Sequence, residues 1–294
     1  LECRMETIQT VAQMKQAARE ARANERTLGL VPTMGALHEG HLSLIRRARE
    51  QCSAVAVSIF VNPKQFGPGE DFKKYPRALA ADRAALENLQ VDYLFAPPPE
   101  EIYPSGFRTE VMVEGLNDKL EGRSRPGHFH GVATVVLKLF EIAQPRLAFF
   151  GRKDAQQARI IQQMARDLNL DTEIVVCPIV REPDGLALSS RNVYLKGDDR
   201  RAASALYRSL DSARREIESG EHDVARLLAA LRRVIAAEPR VALDYAEIVD
   251  LETFEPVSRL QKTCYALVAA RVAGVRLIDN ALIEQVGDSF RVTL

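Results

Sequence analysis

The sequence predicts an α/β protein with a parallel-sheet domain over residues 1–180 and a smaller α+β domain over residues 181–294. Two observations support this prediction. An apolar run at residues 27–31 leads into a helix, and a second apolar run at residues 53–61 follows it, which implies a parallel pair of strands. Beyond Gly197, two helices with one charged face precede four short apolar runs, a pattern typical of a small antiparallel sheet.

The individual elements follow from hydrophobic periodicity and from the positions of proline and glycine. Helical spacing predicts first-domain helices over residues 8–21, 42–51, 78–88 and 132–143, and one that ends at residue 169. Runs rich in β-branched and aromatic residues predict strands over residues 27–31, 53–61, 91–96, 147–151 and 171–180, with an edge strand at 109–113. Loops are expected at residues 62–76 and 121–131. The second domain is predicted to contain helices at 199–219 and 224–237 and strands at 243–249, 265–272, 275–278 and 290–294.

The overall composition excludes several classes of protein. With 46% hydrophobic and 27% charged residues the chain is typical of globular proteins, and its 40 basic and 40 acidic residues argue against general electrostatic binding of nucleic acid. No apolar run reaches membrane-spanning length and the start lacks a signal-peptide core, so we expect a cytoplasmic location. Cysteines without a CxxC pair predict buried thiols at Cys3, Cys52, Cys177 and Cys264.

Residues 31–41, VPTMGALHEGH, form the predicted connection from a strand into a helix. Such connections lie at the carboxyl ends of strands, where ligands bind, and the helix amino terminus offers N–H groups to a phosphate. Gly35 and Gly40 allow a ligand to approach the backbone closely. His38 and His41 point the same way and can donate hydrogen bonds to charge developing on phosphorus. The alternative is a helix cap with two surface histidines.

The pattern His-x-Gly-His resembles the nucleotide-binding signature of the nucleotidylyltransferase superfamily, so its strand-to-helix setting favours ATP as the ligand. Uncharged amides follow the next predicted strand, because Asn62 and Gln65 lie directly past its end. They suit a hydroxyl or carboxylate ligand. The alternative for Asn62 is a simple turn with Pro63.

A cluster of basic residues occupies the predicted loop at residues 121–131. Arg123, Arg125 and His128 suit a phosphate or carboxylate ligand. A solvated loop is the alternative for Arg123 and His130. A zinc site shared with the two earlier histidines is a second alternative, although the segment lacks a nearby thiolate and the usual ligand spacing.

Two further polar segments extend the candidate site. The sequence of strand, glycine and polar helix start recurs at residues 147–157, where Lys153 and Asp154 stand at the turn and Gln157 follows on the same face. A lysine at a helix amino terminus opposes the helix dipole, so we expect an anion between them, with an exposed lysine as the alternative. Residues 189–191 (SSR) combine two hydroxyls with a guanidinium, which suits a phosphate.

With these motifs in order, the chain resembles the pantoate–β-alanine ligase family over nearly its whole length. The matching blocks are VPTMGALHEGH, SIFVNPKQFGPGEDFKKYPR, RPGHFHGVATVVLKLF, FFGRKDAQQ and VREPDGLALSSRN. The resemblance implies ATP-dependent condensation of (R)-pantoate with β-alanine through a pantoyl-adenylate, releasing AMP and pyrophosphate. It also implies Mg²⁺, a Rossmann-like first domain, a second domain that acts as a lid, and a homodimer.

The resemblance also implies roles for individual residues. His41, His38 and Lys153 are expected to be catalytic. ATP is expected to contact Met34, Gly35, Ala36, Leu37, His38, Glu39, Gly40, His41, Gly151, Arg152, Lys153, Asp154, Val180, Leu188, Ser189, Ser190 and Arg191. The residues expected to contact or border pantoate and β-alanine are Gln65, Gln157, Asn62, Arg125 and His128. No ligands for Mg²⁺ are identified.

The chain departs from the family pattern at two positions. Arg152 stands where glutamate is more common, which changes the charge beside Lys153, and Leu188 replaces methionine at similar volume. Two other functions fit parts of the pattern. One is a different His-x-Gly-His nucleotidylyltransferase, such as a cytidylyl or aminoacyl-type enzyme. The other is a module that senses a nucleotide without reacting it.

Overall fold

The computed structural model describes residues 5–294 and divides into two compact units. The first unit comprises the described residues up to Arg152 together with Gln156–Pro178. The second comprises Lys153–Ala155 and Ile179–Leu294, so a short turn from the middle of the chain belongs with the carboxyl-terminal residues.

A parallel sheet of six strands forms the centre of the first unit, as far as residues 5–294 describe it. Its strands are β1 (Glu6–Ile8), β2 (Leu28–Thr33), β3 (Ala54–Ile59), β4 (Tyr93–Phe95), β5 (Leu147–Gly151) and β6 (Glu173–Cys177). Their order is β1-β4-β3-β2-β5-β6. The chain passes from β2 to β3 and β4 on one side and later continues with β5 and β6 on the other. The order therefore reverses between β2 and β5, and ligands bind at the carboxyl ends of strands at such a point.

Helices connect these strands and cover the sheet. They are α1 (Val11–Ala23), α2 (Glu39–Gln51), α3 (Leu79–Asn88), α4 (Pro99–Ile102), α5 (Leu120–Ser124), α6 (His128–Ala143) and α7 (Ala155–Asp167). The apolar face of α2, with Leu44, Ile45 and Ala48, packs in one core with Val31 and Val57 of the central strands. Because both faces of these strands are buried, they appear in the sequence as continuous apolar runs.

The second unit contains an antiparallel sheet packed against helices. Its elements are α8 (Gly197–Ala203), α9 (Ala205–Glu218), α10 (Val224–Ala236), β7 (Val241–Asp250), β8 (Thr263–Val272), β9 (Val275–Val286) and β10 (Ser289–Thr293). The strand order is β10-β9-β8-β7. Apolar residues of α9 and α10, such as Leu206, Leu210 and Leu231, share a core with Val268 and Ile283 of the sheet.

The predicted fold class is confirmed: a Rossmann-like parallel sheet is followed by a smaller antiparallel one. The predicted parallel pairing of the first two apolar runs is also confirmed, since β2 and β3 pair in register from Leu28 with Ala54 to Thr33 with Ile59. The predicted bounds of β5 match the observed strand.

Several local predictions were wrong. Ile8 does not begin a helix, because Glu6–Ile8 pairs with Tyr93–Phe95 and the hydroxyl of Thr10 caps α1 instead. Residues 109–113 form no strand, since the Val111 N–H donates to the Thr134 hydroxyl.

Two helix boundaries also differ from the prediction. The loop expected at residues 121–131 contains α5 and the start of α6, so His128 and His130 are helical. The helix expected at residues 199–219 is interrupted at Ser204, whose hydroxyl donates to the Arg201 carbonyl.

The described cysteines are buried, as predicted: Cys52, Cys177 and Cys264 are free thiols inside the protein, and Cys3 lies outside the described residues. Burial raises the pKa of the Cys52 thiol to about 11. None of the helices within residues 5–294 is both long and apolar enough to cross a bilayer.

Candidate active site

The loop of residues 33–38 connects β2 to α2 at the point where the strand order reverses. Thr33 begins it, and its hydroxyl donates to the Ser58 carbonyl while accepting the Gly35 N–H. Gly35 and Ala36 have positive φ angles of 79° and 50°, which reverse the chain direction. A Cβ on Gly35 would lie 3.0 Å from Asp82 Oδ2, so this left-handed position has little room for a side chain.

Asp82 holds this loop from the neighbouring helix α3. Its side chain is only 4% exposed, and its two oxygens accept the N–H groups of Ala36, at 2.9 Å, and Leu37, at 2.8 Å. Charged acceptors make the stronger class of hydrogen bond. Asp82 therefore fixes the backbone that leads to His38. No local pattern in the sequence indicates this role of Asp82, because the loop that it holds lies 45 positions away.

His38 and His41 occupy the N-cap and the third position of α2, where they form a reciprocal capping box. Their ring centroids are 4.1 Å apart, and the His38 N–H donates to His41 Nδ1 over 3.4 Å. Because Nδ1 is the acceptor, the neutral His41 ring carries its proton on Nε2. The two imidazoles thus lie side by side and also cap α2, whereas nucleotide binding by this motif stays a prediction.

The other predicted residues of this segment differ in surroundings. Met34 is half-buried, and its Sδ accepts a hydrogen bond from Gln65 Nε2 at 3.0 Å. Glu39 is exposed and paired with Arg46, which lowers its pKa through a side-chain hydrogen bond. The Glu39 carboxylate is therefore engaged at the surface, and Gly40 provides backbone only.

Asn62 is a buried hub beside Gln65, with only 1% of its surface exposed. Its Nδ2 donates to Gln65 Oε1 at 3.1 Å and to the Gly131 carbonyl at 3.0 Å. Its Oδ1 accepts from the Tyr103 hydroxyl at 2.9 Å and from the Lys64 N–H at 3.2 Å. With both ends of the amide engaged, Asn62 orients Gln65 and caps the turn that follows.

Gly131 allows α6 to approach this turn. A Cβ at that position would lie 2.3 Å from the Lys64 carbonyl oxygen and 2.6 Å from the Gln65 nitrogen, distances at which the turn would have to move. Gly131 is a second residue whose role no local sequence pattern indicates.

Arg125 and His128 complete the support of Gln65. Arg125 donates to both oxygens of Glu70, at 2.8 and 2.7 Å, and to His128 Nε2 at 3.0 Å. His128 Nδ1 then donates to the Gln65 carbonyl at 2.8 Å. An arginine only donates, so the contact identifies Nε2 as the acceptor and Nδ1 as the protonated nitrogen.

These contacts also determine the charges of the network. Burial, reinforced by the positive charge of Arg125, lowers the pKa of His128 to about 4, so the ring is neutral at pH 7. Burial alone would raise the pKa of Glu70, but the hydrogen bonds and charge of Arg125 outweigh it and lower the pKa. Because both ring nitrogens of His128 are engaged, it is unsuited to act as a base.

Two adjacent glutamines on α7 have different surroundings. Gln156 is buried and bonds to the backbone at Leu116, Lys119 and Glu121, which holds the segment before α6. Gln157 is half-buried, and its side-chain amide has no hydrogen-bond partner within residues 5–294. Gln157 is therefore the one of the pair whose amide is available to a ligand.

The turn at residues 152–154 follows β5. Gly151 ends that strand in the first unit, and Arg152 is buried. In the second unit, Lys153 Nζ lies 3.8 Å from Asp154 Oδ1, and both side chains are partly exposed.

The second unit presents the remaining predicted residues on a hairpin, residues 180–188, and on the short helix that follows it. The Leu188 N–H donates to the Val180 carbonyl at 3.0 Å, which closes the hairpin. Ser189 follows and caps a short 3₁₀ helix, because its hydroxyl accepts the Arg191 N–H. Residues 189–191 are all half-buried, so a ligand can reach them.

Comparisons with known proteins identify the family of the chain. Residues 6–282 match the model of the family described as pantoate-beta-alanine ligase. The chain belongs to this family. A pantothenate synthetase of Heliobacterium modesticaldum is 54% identical over 280 residues, which is 95% of this chain and 100% of the relative. Family membership makes the chain an enzyme that joins pantoate to β-alanine.

Solved structures of the family have the same fold. The crystal structure of pantothenate synthetase from Thermus thermophilus has a TM-score of 0.89 at 48% identity, covering 94% of this chain and 98% of that one. The Francisella tularensis pantoate-beta-alanine ligase, solved with beta-gamma ATP and beta-alanine, has a TM-score of 0.78 at 36% identity, covering 97% and 100%.

Proposed function

We propose that the enzyme activates pantoate with ATP, forming pantoyl-adenylate and pyrophosphate, and then transfers the pantoyl group to β-alanine with release of AMP. One contact carries this proposal: Met34 of the 33–38 loop touches Gln65 of the amide network at 3.0 Å. A nucleotide seated at the start of α2 would therefore adjoin a substrate held by Gln65. The ligase solved with beta-gamma ATP and beta-alanine supports the same pair of ligands here.

The proposed first step needs alignment more than proton transfer. Pantoate is a carboxylate with a pKa near ~4, so at neutral pH it is already the nucleophile. One carboxylate oxygen bonds to the α-phosphorus while the bond to pyrophosphate breaks. The neutral amides of Gln65 and Gln157 would hold the acid without neutralising it. His38 and His41, with the N–H groups that begin α2, would stabilise the charge that develops on the α-phosphate.

The cationic groups of the second unit would bind the triphosphate. We propose that Lys153 and Arg191 neutralise phosphate charge, that Ser189 and Ser190 donate hydroxyl hydrogen bonds, and that this unit acts as a lid. The backbone at the remaining positions would complete ATP binding, at Gly35, Ala36, Leu37, Glu39, Gly40, Gly151, Arg152, Asp154, Val180 and Leu188. Relief of repulsion between the anionic substrates is the physical reason for this charge distribution.

In the proposed second step, the β-alanine amine attacks the acyl carbon and AMP leaves as the amide bond forms. The amine must lose a proton on the way. His128 is unsuited to accept it, since its pKa is lowered to about 4 and both nitrogens are engaged. Its neutral ring and Arg125 instead support Gln65, so deprotonation by solvent is the route that the geometry favours.

We also propose a role for Mg²⁺, which would neutralise charge on the phosphate oxygens. Within residues 5–294, no group of three or more histidine, cysteine or acidic residues is placed so that it could hold a metal ion. We propose that Mg²⁺ binds together with the triphosphate, because this ion commonly uses one or two carboxylates plus substrate phosphates. Asp154, half-exposed beside Lys153, is the carboxylate that would contact it.

Two further family properties are proposed for this chain: a homodimeric state and a cytoplasmic location. Light scattering on the purified protein tests the first, since a mass near 32.7 kDa would contradict a dimer.

Pantoate-dependent exchange of pyrophosphate into ATP tests the proposed chemistry. We expect exchange with pantoate alone and AMP release with both substrates. Loss of one donor to a transition state costs about 10²–10³ in rate, so His41→Ala and Lys153→Ala should each lower exchange by that order while remaining folded. A folded variant with near-normal exchange would remove that residue from the mechanism. ATP binding without AMP release would instead indicate a sensor, and exchange with a different acid would indicate another nucleotidylyltransferase.

A further inference from the structure

Two consecutive buried polar residues interrupt the apolar pattern of β9. Asp279 is 3% exposed and Asn280 is 0% exposed, whereas the neighbouring Leu277, Ala281 and Ile283 belong to the hydrophobic core. Burial of polar groups costs free energy unless hydrogen bonds replace those made to water. The partners of these two side chains therefore indicate why the core contains them.

Asn280 anchors the turn that carries Lys153. Its Nδ2 donates to the Lys153 carbonyl oxygen at 3.0 Å, a contact between residues 127 positions apart in the chain. Both residues belong to the second unit. The bond fixes the backbone from which the lysine side chain extends, while leaving the ammonium group out of the contact.

Asp279 anchors the hairpin that precedes Ser189. Its two oxygens accept from Arg181 Nη1 at 2.6 Å and Nη2 at 3.0 Å, a bidentate ion pair. Arg181 also donates to the Gly185 carbonyl at 3.0 Å, and its guanidinium lies 5.0 Å from the ring centroid of Tyr207. Arg181 thus attaches the first strand of the hairpin to Asp279 and, through Gly185, holds the tip of the hairpin. Breaking such a buried pair leaves one charge without its partner, so the attachment is strong.

The two anchors are connected to each other. The Asn280 N–H donates to Asp279 Oδ1 at 2.8 Å, and Arg181 Nη2 lies 3.3 Å from the Asn280 carbonyl. Burial raises the pKa of Asp279 above its usual value, although the hydrogen bonds and charge of Arg181 and, last, the positive charge of Lys153 act in the opposite direction. One dipeptide of β9 therefore contacts both segments of the second unit that are proposed to bind ATP.

We propose that Asp279 and Asn280 position Lys153 relative to residues 189–191, so that an ammonium group and a hydroxyl–guanidinium segment meet one triphosphate at a set spacing. Neither residue would touch ATP, and both act through the segments they hold. This inference rests on the proposed function, because it assumes that these segments bind ATP. The sequence offered no local indication of it, since the pair follows an ordinary apolar run of a strand.

The variant Asn280→Ala tests the inference in the full-length enzyme. A displacement of about 1 Å in a reacting group can cost about 10²-fold in rate, so we expect pantoate-dependent exchange to fall by at least about tenfold, with a raised KM for ATP. Ile283→Val is the matched control, because it removes one methyl group from the core of the same strand. It should lower thermal stability and leave exchange within about twofold. Equal effects of the two variants on exchange would overturn the inference.

If Asn280→Ala does not fold, Asn280→Ser provides the same test, since it keeps a polar group but is too short to reach the Lys153 carbonyl. The positioning role also predicts coupling with Lys153. In the Lys153→Ala background, the Asn280 substitution should change exchange by less than about twofold, because the group it positions is gone. The same fold-loss in both backgrounds would show a purely structural role and refute the proposal.

Equilibrium binding of ATP to the wild-type and variant proteins, without pantoate, separates the two proposals. If the wild type binds ATP but shows no pantoate-dependent exchange, the proposed function fails. In that case, weaker ATP binding by Asn280→Ala than by Ile283→Val would still support the positioning of Lys153. If exchange is normal in the wild type and unchanged in Asn280→Ala, only the positioning inference fails.

Discussion

Replacement of Asp82 by asparagine would remove one of the two oxygens that hold the 33–38 loop. The carboxylate accepts the Ala36 and Leu37 N–H groups from a site that is 4% exposed. In the variant, one oxygen remains and an amide NH₂ faces a backbone N–H, so one hydrogen bond is lost and a donor meets a donor.

The expected magnitude follows from that lost bond. A hydrogen bond to a charged group contributes about 1.5–3 kcal/mol. Suppose that the native conformation of the loop is destabilised by this free energy relative to its other conformations. The population of loops that can bind ATP then falls by about 10- to 100-fold, at about 1.4 kcal/mol per factor of ten. We therefore expect kcat/KM for ATP, measured by pantoate-dependent pyrophosphate exchange, to fall by about 10- to 100-fold.

Asp92→Asn is the matched control. Asp92 is also a nearly buried carboxylate, which accepts the Val55 N–H at 2.9 Å and pairs with Arg26 and Arg49. Asp92 precedes β4, so it lies at the amino-terminal ends of the parallel strands, whereas the 33–38 loop lies at their carboxyl-terminal ends. This variant should lose stability but keep kcat/KM for ATP within about twofold. The reasoning would be refuted if Asp82→Asn lost as much unfolding free energy as the control while its kcat/KM for ATP stayed at the wild-type value.

Two more predictions concern the support of Gln65. Gly131→Ala places a Cβ 2.3 Å from the Lys64 carbonyl oxygen and should raise the KM for pantoate by at least about tenfold. The control Gly67→Ala, whose Cβ would have no atom nearer than 3.9 Å, should leave this KM unchanged. An unaltered KM in Gly131→Ala would contradict the close approach of α6 to the turn. Because the pKa of His128 is lowered from 6.5 to about 4, the unfolded chain binds a proton below pH 6.5 that the folded ring rejects. Unfolding free energy should therefore fall by about 2 kcal/mol from pH 7 to pH 5, measured by urea unfolding, and His128→Gln should lack this component. Identical pH slopes for the wild type and His128→Gln would argue against a neutral buried ring.

Local patterns were sufficient for the order of the main elements. Continuous apolar runs such as β5 are buried on both faces, and a glycine-rich connection after β2 leads into a helix with one apolar face, so period and composition identify them. Short elements were harder to predict from local patterns. The three residues of β1 are a strand only because β4 lies beside them. Residues 109–113 have the composition of a strand but no partner strand within residues 5–294.

For the candidate site, the sequence indicated the polar residues themselves but not the residues that hold them in position. His38, Gln65 and Lys153 stand out because polar residues directly after strands occupy the edge where ligands bind. Asp82, Gly131 and Asn280 do not stand out, since each lies inside a regular element and acts on a segment distant in the chain.

By itself, the sequence determined the fold class, the family and the chemical groups that are proposed to bind ATP and pantoate, because these depend on periodicity and on short motifs. Only the tertiary structure decided which amides are already engaged, as Asn62 is, and which histidine is neutral, as His128 is. Those properties depend on burial and on hydrogen bonds between residues far apart in the chain, which no local pattern records.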